Sequence, residues 1–470
     1  MKGEKRRMKK VLLMIMVVLL GITVVSCGEE SKTVTTEEGK VLNIRVWNTE
    51  FKDRFRAYYP GYLETKSNGD DLLDDGTIVK WIEVANDQNG YQNALDVALQ
   101  NQESAKADDK VDLFLIEADY AKKYANAQYA LDVIEDLKIP EYSLSQQYQY
   151  TKDIVTDEDG ILRAVSWQAT PGLFAYRSDI AEAVLGTSNP DEVQAKLDTW
   201  AKFDAVAAQM KAQEYLMLSG FDDAYRTFSN NMSAPWVDAN DNVVLDQQIL
   251  NWIKQTKEYA TNGYNHGTKL WDSQWSADQG PTGNVFGFFY STWGINFTLL
   301  GNSLEDADGP KEVGNGLYGK WRVVQGPASY YWGGTWLVGA KGTDNPTLVR
   351  DIMLKLTANE KIMKQVTLDV EDYTNNQKAM NALAQDETYG SPFLGGQNHV
   401  KLFNQSAGDI DMSNISPYDQ GLNEGIQTAF RDYFLGTITF EQAWAAFKES
   451  STTKYPELKF GATPQDPFAA

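Results

Sequence analysis

The side chains in this sequence with the greatest chemical reach are aromatic and acidic. The 470 residues include 13 Trp, 24 Tyr and 19 Phe beside 65 carboxylates. Aromatic residues at that frequency exceed what filling a core requires. The flat faces of Trp and Tyr pack against the axial C–H groups of a pyranose, while the sugar's hydroxyls seek polar partners at the ring edge. Carboxylates supply such partners by accepting paired hydrogen bonds from adjacent hydroxyls. Acids and aromatics together would also welcome a polyamine. Other chemistry is thinly provided for. His266 and His399 stand far apart and Cys27 is the single cysteine, so no Cys/His cluster supports a transition-metal site. A site made of oxygen ligands stays open on spacing alone. No cofactor is expected.

Cys27 has a chemistry of its own. The chain opens with Lys2, Lys5, Arg6, Arg7, Lys9 and Lys10 against Glu4, then an uncharged, mostly apolar run over residues 11–25. These are the two leading regions of an export signal. The run is shorter than the ~20 residues that a membrane-spanning helix needs. It ends in Val24-Val25-Ser26-Cys27, which resembles the bacterial lipobox. Cleavage of residues 1–26 as a signal peptide and acylation of Cys27 are therefore expected, with the chain held at the extracytoplasmic face of a cell membrane. Residues 27–40 are Glu, Ser, Thr, Lys and Gly with few apolar positions, the composition of a flexible tether. Losing six positive and one negative charge with the signal takes the formal charge from −22 to −27. So acidic a surface repels nucleic acid and anionic lipid heads. Membrane contact is expected through the lipid alone, and nucleic acid is excluded as a partner.

The roughly 440 remaining residues are too many for one core and natural for two domains. The elements that must position the aromatics follow an α/β pattern. Leu42, Ile44 and Val46 alternate as a strand that ends at Trp47-Asn48. A second strand is predicted near 78–84, then a helix carrying Tyr91, Ala94, Leu95, Ala98 and Leu99. The run Val111-Asp112-Leu113-Phe114-Leu115-Ile116 reads as a buried parallel strand with Glu117-Ala118-Asp119 at its carboxyl end. Residues 162–177 read as strand, crossing, strand. Asn189 caps a helix with Pro190 in its first turn. Further strand-like runs lie at 285–290 and at 330–340, the latter broken by Gly333-Gly334. Capping-box spacing predicts helix starts at Thr357 to Glu360 and at Thr439 to Gln442.

In order along the chain stand Val46-Trp47-Asn48, the Asp-Leu-Phe strand with Glu117-Ala118-Asp119-Tyr120, and the segment from Trp167-Gln168 through Pro171-Gly172 to Arg177. Phe289-Tyr290-Ser291-Thr292-Trp293, Tyr331-Trp332-Gly333-Gly334-Thr335-Trp336, the Asn345-Pro346 helix and Tyr373-Thr374-Asn375-Asn376 follow. This ordered set resembles the extracellular solute-binding proteins of carbohydrate ABC transporters, of the maltose-binding type. The resemblance implies a two-lobed α/β periplasmic-binding-protein fold of type II. Its interlobe cleft would take a carbohydrate, as a monomer that hands ligand to a membrane permease. Lobe one would comprise residues 41–168 plus 336–375, and lobe two 169–335 plus 376–460.

Carried over onto this sequence, the family's cleft carboxylate falls on Asp119 with Glu117 beside it. Trp47 and Asn48 follow the first strand, where the family touches ligand. Trp293 matches a sugar-stacking tryptophan. Trp167 and Gln168 precede the first crossing, and Trp332, Gly333 and Gly334 the second, where glycines let backbone approach a ligand, although a β-bulge would use them equally. Asp222, Asp223, Trp236, Trp271 and Trp275 fall in loops of the second lobe and suggest a wall that reads the sugar. On a helix, Trp271 and Trp275 would share a face. The number of aromatic candidates favours an oligosaccharide over a single ring. A secreted glycoside hydrolase would use similar aromatic walls but needs two carboxylates about 5–10 Å apart across the scissile bond, and no segment resembles a hydrolase motif.

Overall fold

In a computed structural model of the protein, residues 38–468 are described. The cleavage and acylation expected at Cys27, and the tether up to residue 37, lie outside the described residues. Among these residues ten strands form two sheets. They are β1 (Val41–Val46), β2 (Tyr62–Thr65), β3 (Asp71–Leu73), β4 (Ile78–Glu83), β5 (Leu113–Glu117), β6 (Val165–Ser166), β7 (Gly172–Arg177), β8 (Gly287–Ser291), β9 (Trp321–Val324) and β10 (Thr335–Gly339). The larger sheet runs β2-β3-β4-β1-β5-β10-β6, and the smaller β8-β7-β9.

The larger sheet is parallel at its centre, where β1 pairs with β4 and β5, and antiparallel at both sides. The alternation of Leu42, Ile44 and Val46 fits a central strand, because all three side chains are buried. Between them Asn43 is also buried, and it is satisfied: its side-chain amide donates to the Asp108 and Lys110 carbonyls. Asp112, expected inside the next strand, lies just before it. Its carboxylate accepts the Asn43 N–H, the Thr343 hydroxyl and the Asn345 amide. That stitches β1 to the segment that opens the helix Pro346–Thr357. On its other side β5 meets β10 antiparallel rather than a second parallel strand.

Of the three helix starts predicted from Asn189, Thr357 and Thr439, two form as expected. Asn189 accepts from the Asp191 and Glu192 N–H groups ahead of Pro190–Leu197. Thr439 and Gln442 form the reciprocal capping box of Phe440–Lys454. The box expected at Thr357 does not form. Thr357 closes the preceding helix and donates to the Met353 carbonyl, and Asn359 caps Glu360–Val370 instead. An Asn nearer the start offers a shorter reach to the free N–H groups. No helix among the described residues is long and apolar enough to cross a membrane.

The chain passes between the two sheets three times, at 167–171, 330–334 and 371–376. These crossings are bonded to one another. Ala169 N–H donates to the Tyr373 carbonyl, Asn375 N–H to the Trp167 carbonyl, and Trp332 N–H to the Thr170 carbonyl. A cleft opens beside them.

Candidate functional site

The carboxyl ends of β1, β4 and β5 and the segments after β8 all point to one cavity of about 570 Å3, within the range of small-molecule sites. From the larger sheet come Trp47 and Asn48 after β1, Glu50 and Arg54 on the helix Glu50–Tyr58, Asn86 after β4, and Glu117, Asp119 and Tyr120 after β5. Facing them stand Arg226, Trp271, Trp293, Asn296 and Phe297 from the side of the smaller sheet. The crossings supply Gln168, Trp332, Gly333, Gly334 and Asp372. Ligand sites at the carboxyl ends of parallel strands are the rule in open α/β sheets.

Three tryptophans make one wall. Trp271 and Trp293 lie nearly parallel, 19° apart in plane with centroids 6.3 Å apart. Trp332 stands edge-on to Trp293 at 5.4 Å, and its carbonyl accepts the Trp293 indole N–H at 3.0 Å. Trp271 is 54 % exposed and adopts a left-handed backbone (φ 71°). A non-glycine residue held there costs on the order of 1–3 kcal/mol, and such outliers cluster at ligand clamps. Asn296 and Phe297, just after Trp293, sit on a π-helical turn, Ile295–Leu299, a feature frequent at functional sites; the Phe297 ring lies 6.5 Å from that of Trp293. Gly333 adopts a left-handed backbone (φ 70°) that disfavours a side chain, and a Cβ there would make a tight 3.1 Å contact with the Trp293 indole nitrogen. The glycine suits this left-handed backbone and close approach.

The opposite wall is charged and ordered. Arg226 clasps Asp119 with two parallel hydrogen bonds of 2.9 and 2.8 Å, and its guanidinium lies over the Trp332 ring. Burial alone would raise the Asp119 carboxyl, but the Arg226 charge outweighs it and holds the group below the usual carboxylate range. Glu117 accepts the Asp119 N–H at 2.7 Å. Burial, and then the Asp119 charge, push Glu117 up to about 8. At the hinge end Gln168 donates one amide group to Glu50 (2.8 Å) and to Asp372 (2.9 Å). Burial, and then Asp372, raise Glu50 to about 7. Thr292, next to Trp293, donates to Asp372 from the smaller-sheet side. Asn48 accepts the Glu50 N–H and so starts the helix that presents Glu50 and Arg54.

The structure brings Trp47, Asn48, Glu117, Asp119, Gln168, Trp271, Trp293, Trp332, Gly333 and Gly334 to this cavity. Five expected site residues lie elsewhere. Trp167 is buried and stacks on Phe51. Trp236 is fully buried, its indole N–H on Asn423. Trp275 is also buried and donates to Asp223, whose other oxygen accepts the Ser219 and Gly220 N–H groups. Asp222 pairs with Arg431. These acids satisfy the interior of their own lobe, so a loop position in the sequence did not mean a solvent-facing side chain. Trp271 and Trp275 do not share a helix face either. The helix Ser273–Asp278 begins after Trp271, which turns outward while Trp275 turns inward.

Sequence reading missed Glu50, Arg54, Asn86, Tyr120, Arg226, Asn296, Phe297 and Asp372. Glu50 and Arg54 carried a usable signal: they are four apart just past the end of β1. Arg226 carried none. No group of three or more His, Cys, Asp or Glu among the described residues could hold a metal ion.

An α/β molecule with two sheets, three bonded crossings and a tryptophan-walled cleft beside them has the architecture of a two-lobed periplasmic binding protein. The chain belongs to the bacterial extracellular solute-binding protein family, whose model matches residues 74–393. It is a receptor and not an enzyme. Solved structures share the fold. A crystal structure of an extracellular solute-binding protein of family 1 is 16% identical, covers 88% of this chain and 99% of that one, and has a TM-score of 0.69. The ABC transporter associated binding protein of B. animalis subsp. lactis, in complex with beta-1,6-galactobiose, is 17% identical over 90% and 100%, with a TM-score of 0.65. The galacto-N-biose-/lacto-N-biose I-binding protein of Bifidobacterium longum, in complex with lacto-N-biose, is 13% identical over 90% and 98%, with a TM-score of 0.63. No curated protein matches the chain in sequence.

Proposed function

We propose that this chain is the substrate receptor of an ABC importer for a carbohydrate, an oligosaccharide in preference to a single ring. The observation that carries the reading is the cradle of Trp271, Trp293 and Trp332 facing a wall of carboxylate, amide and guanidinium groups. Stacking suits the apolar face of a pyranose, and the polar wall suits its hydroxyls. Glu50, Glu117, Asp119 and Asp372 share the wall with Arg54 and Arg226, so a polyamine is the competing ligand that the test must separate from a sugar. The two solved relatives with bound disaccharides support the reading at the level of fold. The lobe limits proposed near 168 and 335 are supported by β6 and β10 joining the larger sheet and β7 and β9 the smaller; the limit near 375 is part of the same proposal, and closure would be a hinge motion at the three crossings. Acylation at Cys27 would confine the receptor to the membrane of its permease and raise its effective concentration there.

Thermal-shift screening of the mature chain against a sugar library tests this. A carbohydrate that binds the native state raises the melting temperature by mass action and changes tryptophan fluorescence. If no sugar shifts melting while spermidine does, the carbohydrate assignment fails. Mass spectrometry of the protein purified from membranes tests the anchor separately: an unacylated Cys27 removes it and leaves the sugar reading intact.

A further inference from the structure

Six charged side chains line the cleft: Glu50, Glu117, Asp119 and Asp372 with Arg54 and Arg226. All four acids are engaged inside the protein. Asp119 takes both arms of Arg226. Asp372 accepts the Gln168 amide, the Thr292 hydroxyl and the Tyr373 N–H. Glu50 accepts the same Gln168 amide, and Glu117 accepts the Asp119 N–H. Burial, first in each case, pushes Glu50 up to about 7 and Glu117 up to about 8. That thins the negative charge of the wall at neutral pH.

Arg54 is the exception. It makes no hydrogen bond and no ion pair among the described residues, and its Nε is buried. The two Nη nitrogens are therefore the part of the guanidinium left for a partner from the cavity. Arg54 stands four residues after Glu50 on the helix Glu50–Tyr58, whose Phe51 and Phe55 are buried in the core. The start of this helix, Asn48 to Glu50, lies on the same wall, and the partial positive charge of a helix start favours an anion. A guanidinium fork is matched best by a planar anion with two oxygens, a carboxylate. The acidity of the chain as a whole does not oppose this. Exposed charges more than ~8 Å away are largely screened at physiological ionic strength, so the nearest charge decides.

We propose that the carbohydrate taken by this cleft is an acidic one, a uronate-containing oligosaccharide whose ring stacks on Trp271, Trp293 and Trp332 while its carboxylate is clasped by the Nη nitrogens of Arg54. Arg54 then selects acidic over neutral sugar. The inference rests on the carbohydrate reading above and narrows it to one class.

Isothermal titration of the mature chain tests it, with oligomers of galacturonate, glucuronate, mannuronate and guluronate set against galactobiose, cellobiose and maltose, and with spermidine and trialanine as further arms. The best-bound uronate oligomer is expected to bind about tenfold or more tighter than the best-bound neutral sugar, as a charged hydrogen-bonded pair provides. Arg54→Gln should remove that preference while a neutral sugar loses less than about threefold, the scale of one lost neutral hydrogen bond. Arg54→Lys keeps the charge without the fork and should retain part of the preference, which also serves if the Gln variant fails to fold. Neutral sugars bound as tightly as uronates overturn the acidic assignment and leave the carbohydrate reading standing. An equal loss for both classes in Arg54→Gln, or an unchanged preference in both variants, does the same. Binding by no sugar of either class, whether or not spermidine or trialanine binds, overturns the carbohydrate reading and this inference with it.

Discussion

At the scale of single residues, the cleft separates side chains that touch ligand from those that hold others in place. Trp293 is a stacking surface with its own N–H already spent on the Trp332 carbonyl. Trp293→Ala should therefore weaken the preferred sugar by about 2 kcal/mol or more, roughly thirtyfold, since buried aromatic anchors dominate binding. Calorimetry checks this, and an unchanged dissociation constant removes Trp293 from the site. Gly333 positions rather than binds. Gly333→Ala forces a methyl against the Trp293 indole at φ 70° and should cost about 1–2 kcal/mol of stability from the left-handed backbone alone. Urea unfolding reads that loss directly.

At the scale of elements, caps and buried polar stitches decide where helices and strands begin. Asn359→Ala removes the acceptor for the Lys361 and Ile362 N–H groups and should cost about 1 kcal/mol. Glu360→Ala touches only an exposed pair with Lys378, and such pairs contribute about 0–1 kcal/mol. Comparing the two variants by chemical denaturation distinguishes an Asn cap from the capping box that spacing alone predicts. If Glu360→Ala proves the costlier change, the observed cap is wrong. The sequence made the Thr439 cap legible because Thr and Gln there satisfy each other's backbone locally. At Thr357 the same spacing was outcompeted by the fit of Asn359.

At the scale of the whole molecule, three buried carboxyls shift the same way, whereas Asp119 is held down by Arg226. Burial, first in each case, raises Glu50 and Asp419 to about 7 and Glu117 to about 8. Between the ordinary carboxylate range and those values, the native state keeps protons that the unfolded chain has released. The unfolded state then binds fewer protons, so stability falls as pH rises. It is fully present below about pH 4.3, the unfolded glutamate value, and is lost through pH 7–8. The melting temperature is expected to drop between pH 5.5 and 8.5, and Glu117→Gln should flatten the drop. A rising profile over that window contradicts the burial of these groups. Ligand closure across the three crossings is a separate expectation. Small-angle scattering should show a smaller radius of gyration with a bound sugar, and an unchanged radius would rule out hinge closure.

Local chemistry is what a sequence fixes on its own. Alternating Leu42, Ile44 and Val46 specify a buried strand, Asn189-Pro190 and Thr439 specify helix starts, and Gly333-Gly334 interrupt the strand-like run ahead of β10, because each depends on neighbours within a few residues. The family resemblance, rather than local chemistry, pointed to Trp47, Asn48, Glu117 and Asp119 as cleft positions, and all four line the cavity. Direction was not readable. Trp271 and Trp275 are alike in type and spacing, yet one lies half in solvent and the other is buried on Asp223. Trp167, Trp236, Asp222 and Asp223 turned inward for the same reason: an interior must satisfy its own polar groups and fill its own volume. Only the tertiary structure could pair Asp119 with Arg226, 107 residues away, because that contact exists only when the two sheets face each other across the cleft.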